Sequence, residues 1–310
     1  MLEPISRVPF GSVTRARLLP VLLAPFVTGA AFSYAQTGAF SWSWFAVAAA
    51  GAAAAHLSLN VLHDVVDVAS GADAAARSDA ASVAPGSVAI ASGRVSRSRA
   101  LVFASILAAF AAGCGVALAT HRSAGILVYG AVAYVLAVAA ITPPLRFASR
   151  IPGANEIAVI TAGGFLQAGA AYAVATKQFD GGSLWSGLVP GGLLMLVFWH
   201  QALLHYRADV AIGRESTSSA LGPERTVIVS SVCAAMIFVA LIVQVAAGLF
   251  PRGAIIALAG ALPLSNAYAR AIKSRRDIQN YVTLLGATLG ATALVTLILV
   301  ISLVVRGAVR

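Results

Sequence analysis

Charge is what this chain of 310 residues lacks most. Asp, Glu, Lys and Arg together make up 10% of it, where a soluble domain carries about 25%. Hydrophobic residues account for 59%, and the mean hydropathy is +0.88. Too few polar side chains exist to cover a surface facing water, which excludes a soluble globular enzyme and a disordered chain. Cysteine is nearly absent as well. Cys114 and Cys233 both lie in apolar runs, which excludes a disulfide scaffold and reads as buried thiols. Acids are scarcer than bases, 11 against 21, for a net charge of +10. In a soluble protein that balance would suggest nucleic acid. In a chain this apolar the bases set topology instead, and no nucleic-acid partner is expected.

What is present is a series of apolar stretches, each near the roughly 20 residues needed to cross a bilayer. They fall at 16–35, 42–63, 100–119, 124–142, 155–176, 184–205, 226–248, 252–270 and 281–305. Met1–Gly11 is polar and lacks the order of a secretory signal, so the first stretch is expected to be a true span. Abundant Ala and Gly suit close helix packing in lipid. The expected fold is an all-α integral membrane bundle of nine helices, one domain over 1–310, with a central cavity opening to the cytoplasmic side.

Orientation follows from the bases. If the N-terminus and the loops after spans two, four, six and eight share one side, only Arg122, Lys177, Arg252, Arg306 and Arg310 of the 21 bases fall on the other. The basic side is then cytoplasmic and the C-terminus lies opposite. All acids except Asp180 follow the basic side, which a positive-inside bias does not explain.

Those acids cluster at two span ends. The first cluster runs from His56 through Asn60 and His63 to Asp64, Asp67, Gly71 and Asp73. On a helix Asn60, Asp64 and Asp67 stand at i, i+4 and i+7, with His56 one turn back, so they share a face. Adjacent carboxylates at a membrane edge repel one another and are costly to desolvate, and a divalent cation removes both penalties. Oxygen donors suit a hard ion such as Mg²⁺. The bland alternative is a helix that ends in water. The second cluster contains His200, Gln201, His205, Arg207, Asp209, Arg214 and Ser216, with His205 and Asp209 at i and i+4. Here the bland alternative pairs Asp209 with a nearby arginine. A third polar stretch, Thr142 to Arg146 followed by Gly153, Asn155 and Glu156, also reads as the capped start of a helix. Acids and arginines at one face of an apolar bundle match a diphosphate on a long hydrocarbon. The charge demands metal and guanidinium, and the tail demands a groove open to lipid.

The order Asn60, His63-Asp64-x-x-Asp67, Gly71 and Asp73 resembles the UbiA superfamily of membrane prenyltransferases. It comes nearest the branch that prenylates 1,4-dihydroxy-2-naphthoate, where N-x-x-N-D-x-x-D-x-x-x-G-x-D is usual. Asp209-x-x-x-Gly213-Arg214-x-Ser216 resembles the second motif, D-x-x-x-D-x-x-x-G-K-x-T, with His205 in place of its first Asp and His63 in place of an Asn of the first motif. Ser92-Gly93-Arg94-Val95-Ser96 and Thr142-Pro143 with Leu145-Arg146, Gly153 and Glu156 match two further elements in the right order.

The resemblance implies Mg²⁺-dependent prenyl transfer from a polyprenyl diphosphate to an aromatic, quinone-precursor acceptor, as in menaquinone or ubiquinone synthesis. It implies metal ligation by Asn60, Asp64, Asp67 and Asp209. Diphosphate contact falls to Asn60, Asp73, Arg77, Arg146, Arg207 and Arg214. Asp64, Asp67, Asp209 and His205 are the candidate catalytic residues. Two rival readings are a terpene cyclase on the same scaffold, which needs no acceptor, and an ion-coupled transporter. The second is disfavoured because transporters hold their ionisable groups near the midplane, whereas these stand at span ends.

Overall fold

The computed structural model describes residues 15–71, 89–274 and 277–309. Among these residues the regular structure is all helix. Eight helices are long and apolar enough to span a bilayer, and a bent pair that passes the same test together brings the number to nine if it is one span. The spans are α1 (Ala16–Leu22 with Ala24–Thr37, bent by 42°), α2 (Trp42–Ser70), α3 (Arg97–His121), α4 (Ala124–Ile141) and α5 (Ala154–Thr176). They continue with α6 (Gly181–Leu204), α7 (Thr217–Ala246), α8 (Arg252–Lys273) and α9 (Ile278–Ala308). A short helix, Tyr206–Ala211, follows α6.

Where helices start and stop follows local chemistry. The hydroxyls of Ser96 and Ser216 and the carboxylate of Asp277 accept N–H bonds at the starts of α3, α7 and α9, satisfying donors with no partner inside the helix. Gly38 and Gly71 end α1 and α2 in the left-handed conformation. The Ser216 cap starts α7 nine residues before the apolar run at 226, and the helix tolerates a break at Gly222-Pro223 on the way. α2 likewise continues beyond 63 to Ser70, which keeps Asp64 and Asp67 helical. The one feature that hydropathy could not suggest lies in α5, where Val159–Leu166 widens into a π-helix.

The outer faces are apolar. Val102, Ile106 and Phe110 on α3, Val128, Val132 and Val135 on α4, and Val232, Met236, Val239 and Val243 on α7 are all exposed. They recur at three- or four-residue spacing, the pattern of a stripe turned toward lipid. At the bundle end opposite the aspartates, Phe40, Trp42 and Phe45 pack together and Trp44 stacks on His121 with ring centroids 5.0 Å apart. Aromatics of this kind mark a membrane interface.

Inside, the bundle has a solid side and a hollow side. α6 to α9 and part of α1 form the largest core, around Phe32, Leu193, Leu241, Phe250, Leu284 and Leu299. A cavity of about 760 Å³ is lined by α2 to α6, with Arg15 just before α1, Phe26 of α1 and Thr217 of α7. Small side chains on its walls, such as Ala108, Ala112, Gly115, Gly130 and Ala162, leave this space. Glycine elsewhere permits backbone contact. A Cβ on Gly29 of α1 would overlap the Ala168 carbonyl of α5, and one on Gly191 of α6 would overlap Gly164.

Overpacking such a contact costs about 1–3 kcal/mol. Gly29→Val is therefore expected to lower the melting temperature in detergent. Gly286→Ala, where the added carbon meets nothing within 4 Å, should leave it unchanged. Equal melting of both variants would contradict this account of the packing.

Candidate active site

The mouth of the cavity is assembled from the last turns of α2, the short helix after α6, the loop before α5 and the start of α1. On a helix with 3.6 residues per turn, His63 and Asp67 lie roughly 60° and 20° to one side of Asn60, and Asp64 lies roughly 40° to the other. His56, Asn60, His63 and Asp67 accordingly line the cavity. Asp64 is fully buried outside that wall, where it pairs with the Arg15 guanidinium. The expected common face of Asn60, Asp64 and Asp67 is thus a cavity face only for the first and last. The reason is the rotation per residue, which turns Asp64 toward α1.

Arg214 joins the two acidic clusters. Its guanidinium lies 2.6 Å from Asp67 Oδ1 and 3.3 Å from Asp209 Oδ1. The local sequence makes this possible. Gly213, with φ +67°, ends the short helix, its N–H donates to the Val210 carbonyl, and the Arg214 N–H donates to the Asp209 carbonyl at 2.8 Å. That is a Schellman arrangement, and it turns Arg214 back over the helix end. Ser216 Oγ donates to the other Asp209 oxygen at 3.1 Å, and His63 Nδ1 sits 3.0 Å from Asp67 Oδ2. The loops are tied together as well. Thr217 Oγ1 accepts from the Gly153 N–H and donates to Glu156, both at 2.8 Å, and the Glu215 N–H donates to the Ser149 carbonyl.

Arg146 lines the cavity and donates to Ser70 Oγ at 3.0 Å. Arg15 and Arg146 both hold left-handed backbone, with φ of 53° and 41°, a conformation costly for a side-chain-bearing residue and concentrated at functional sites. Arg207 is exposed and outside the cavity wall, so it does not join Arg146 and Arg214. Its place on the short helix turns it opposite the buried Asp209. Asp73 and Arg77 lie outside the described residues. Arg15 was not singled out in the sequence, because an arginine before a first span is ordinary topology. Glu156 and Gln167 also line the cavity, and nothing in local sequence sets Gln167 apart.

Burial lowers the His205 imidazole to a pKa of about 4, so at neutral pH the ring is uncharged and offers one donor and one acceptor nitrogen. Burial raises the Asp209 carboxyl, against the opposing pull of Arg214 and Ser216. Burial, then the like charge of Arg214, lowers Arg146. The oxygen donors Asn60, Asp67 and Asp209 suit a hard divalent ion. Among the described residues no three acid, His or Cys side chains already stand as a metal-ligating group, and the carboxylates of Asp67 and Asp209 are paired with Arg214.

Among the described residues, then, a bundle of apolar helices carries paired acids and arginines at one end of its hollow side. Residues 22–281 match the model of the UbiA prenyltransferase family, and the chain belongs to that family. Three solved structures share the fold. A UbiA homologue from Archaeoglobus fulgidus bound to DMAPP and Mg²⁺ is 15% identical with a TM-score of 0.66, covering 94% of this chain and 99% of that one. An apo UbiA homologue from Aeropyrum pernix K1 is 16% identical with a TM-score of 0.66, covering 88% and 96%. A digeranylgeranylglyceryl phosphate synthase is 11% identical with a TM-score of 0.63, covering 95% and 97%. Comparison with curated proteins finds no match.

Removing one partner of a buried ion pair costs about 3–5 kcal/mol. Arg214→Met is expected to destabilise the protein on that scale in denaturant titrations, and adding Asp67→Asn should recover part of the loss. No recovery would mean that the pairing is not what stabilises the site. For His205, the unfolded imidazole titrates near 6.5 and the folded one near 4. The unfolded chain binds the extra proton in that window, so stability is full above pH 6.5 and falls as pH drops toward 4. Asp209 has the opposite sign, its raised carboxyl costing stability as pH rises through its folded value. Melting curves from pH 7 to 4 should therefore be flatter for His205→Gln than for wild type.

Proposed function

We propose that the protein transfers a prenyl group from a prenyl diphosphate to an aromatic, quinone-precursor acceptor within the membrane, with Mg²⁺ held by Asn60, Asp67 and Asp209. Asp64 supports that set through Arg15. The observation that carries this reading is the joining of an apolar chamber to a mouth whose guanidinium groups are paired with carboxylates. The A. fulgidus homologue with DMAPP and Mg²⁺ supports the ligand assignment, and the motif order supports the naphthoate branch. The aspartate end faces the cytoplasm in this reading, since all but five of the 21 bases lie on that side.

Mg²⁺, when bound, neutralises the diphosphate and the charge that develops on it as it leaves. Arg146 and Arg214 line the same mouth and add planar, two-pronged hydrogen bonds to phosphate oxygens. Arg214, paired with Asp67 and Asp209, would be free for that task if those carboxylates held the cation. The alanine-rich walls hold the tail and keep water from the allylic cation. The C1–O bond breaks with its electron pair going to diphosphate. A carbon of the acceptor bonds to C1 and loses its proton to a base, a role open to uncharged His205.

Purified protein given geranyl diphosphate and a panel of hydroxynaphthoates and hydroxybenzoates should release diphosphate only with Mg²⁺ present. Asp67→Asn should slow that release at least about 100-fold, the scale expected for losing a group that stabilises developing charge. Silence across the whole panel would overturn the proposal, and a cyclised product without acceptor would replace it with a cyclase.

A further inference from the structure

One turn along α2 from Asn60, a polar pair stands in a cavity wall made mostly of alanine and aliphatic side chains. Gln167 Nε2 donates toward His56 Nε2 at 3.3 Å, from α5 to α2. Both residues line the cavity. The other half of the amide, Gln167 Oε1, is buried and has no hydrogen-bond partner. An orphaned buried acceptor of this kind costs about 1–3 kcal/mol, so its presence in an alanine-lined chamber calls for a ligand.

The backbone holds this group in place. Gln167 directly follows the π-helix Val159–Leu166. A π turn takes more residues than an α turn and rotates everything beyond it, and such turns concentrate at functional sites. Gly164, within the π-helix, meets Gly191 and Gly187 of α6, which fixes the wide turn against its neighbour.

The chemistry of this acceptor limits its partner. A carbonyl oxygen needs a hydrogen-bond donor. A prenyl tail has none, and a diphosphate belongs with the guanidinium groups at the mouth. Depth along α2 agrees. At 1.5 Å per residue, His56 lies about 16 Å from Asp67 but only about 6 Å, one turn, from Asn60. A hydroxyl held at Gln167 would place a single aromatic ring alongside Asn60, next to where the prenyl C1 must react.

We infer that His56 and Gln167 form the recognition site for a hydroxyl group of the aromatic acceptor, with Gln167 Oε1 accepting its hydrogen bond. The inference rests on the prenyltransferase reading above. The pair is a positioning device: it holds the ring and takes no part in breaking the C1–O bond. It selects reduced acceptors, which carry a hydroxyl, over oxidised or etherified ones, which leave Oε1 unpaired.

The probes are 1,4-dihydroxynaphthalene and 1,4-dimethoxynaphthalene, titrated into the detergent-solubilised full chain under reducing conditions. Wild type should bind the diol about tenfold more tightly than the ether, the value of one well-placed hydrogen bond. Gln167→Leu and Gln167→Met should each lose that preference while binding geranyl diphosphate with Mg²⁺ as wild type does, which also reports that the variants are folded. Two variants serve because one could fail to fold. A wild type without preference, or a preference surviving in both variants, overturns the inference. Failure of wild type to bind geranyl diphosphate would instead count against the prenyltransferase reading, and the diol arm remains readable without it.

Discussion

The site depends on a single electrostatic constraint, that carboxylates at the edge of a hydrocarbon bundle must be neutralised. Arg214 does this for two clusters at once, lying between Asp67 at the end of α2 and Asp209 beyond α6. Arg15 does it for Asp64. Unpaired, each buried acid would be costly to desolvate, and the two clusters would repel one another. Paired, they join helices far apart in sequence and close the mouth of the chamber. The same guanidinium groups that neutralise the acids are the ones assigned to diphosphate in the proposed function.

Around that mouth the bundle divides its labour. α7 to α9 pack against α6 with large aliphatic and aromatic side chains. α2 to α5 carry alanine and glycine on their inner faces and enclose space. Close backbone contacts such as Gly164 of α5 with Gly191 of α6 join the two halves. A buried polar cluster strengthens the solid side. His200 meets Thr288, Ser230 and Tyr268 at 2.8, 3.3 and 3.0 Å, giving α6 to α9 partners that hydrocarbon cannot supply.

The spans were legible in the sequence because each must satisfy its own backbone hydrogen bonds and present apolar side chains to lipid, which leaves a strong local signal. The acids at the ends of spans two and six were legible for the same reason inverted, since carboxylates in so apolar a chain stand out. Arg15 was not, because an arginine before a first span is what topology alone requires, and only its approach to Asp64 from α1 gives it another role. Gln167 was not, because a glutamine in a long apolar run looks like tolerated polarity until the π-helix turns it toward His56.

The amino-acid sequence by itself determined the helices, their number and the two acidic span ends, since these follow from hydropathy and period along one strand of chain. Tertiary structure decided which of the acids face the cavity, which arginines hold them, and where the chamber is hollow. Those outcomes depend on the rotation of each helix about its axis and on contacts between residues far apart in sequence. Three residues at 100° each set Asp64 about 60° around α2 from Asp67, enough to put Asp67 in the wall and Asp64 behind it.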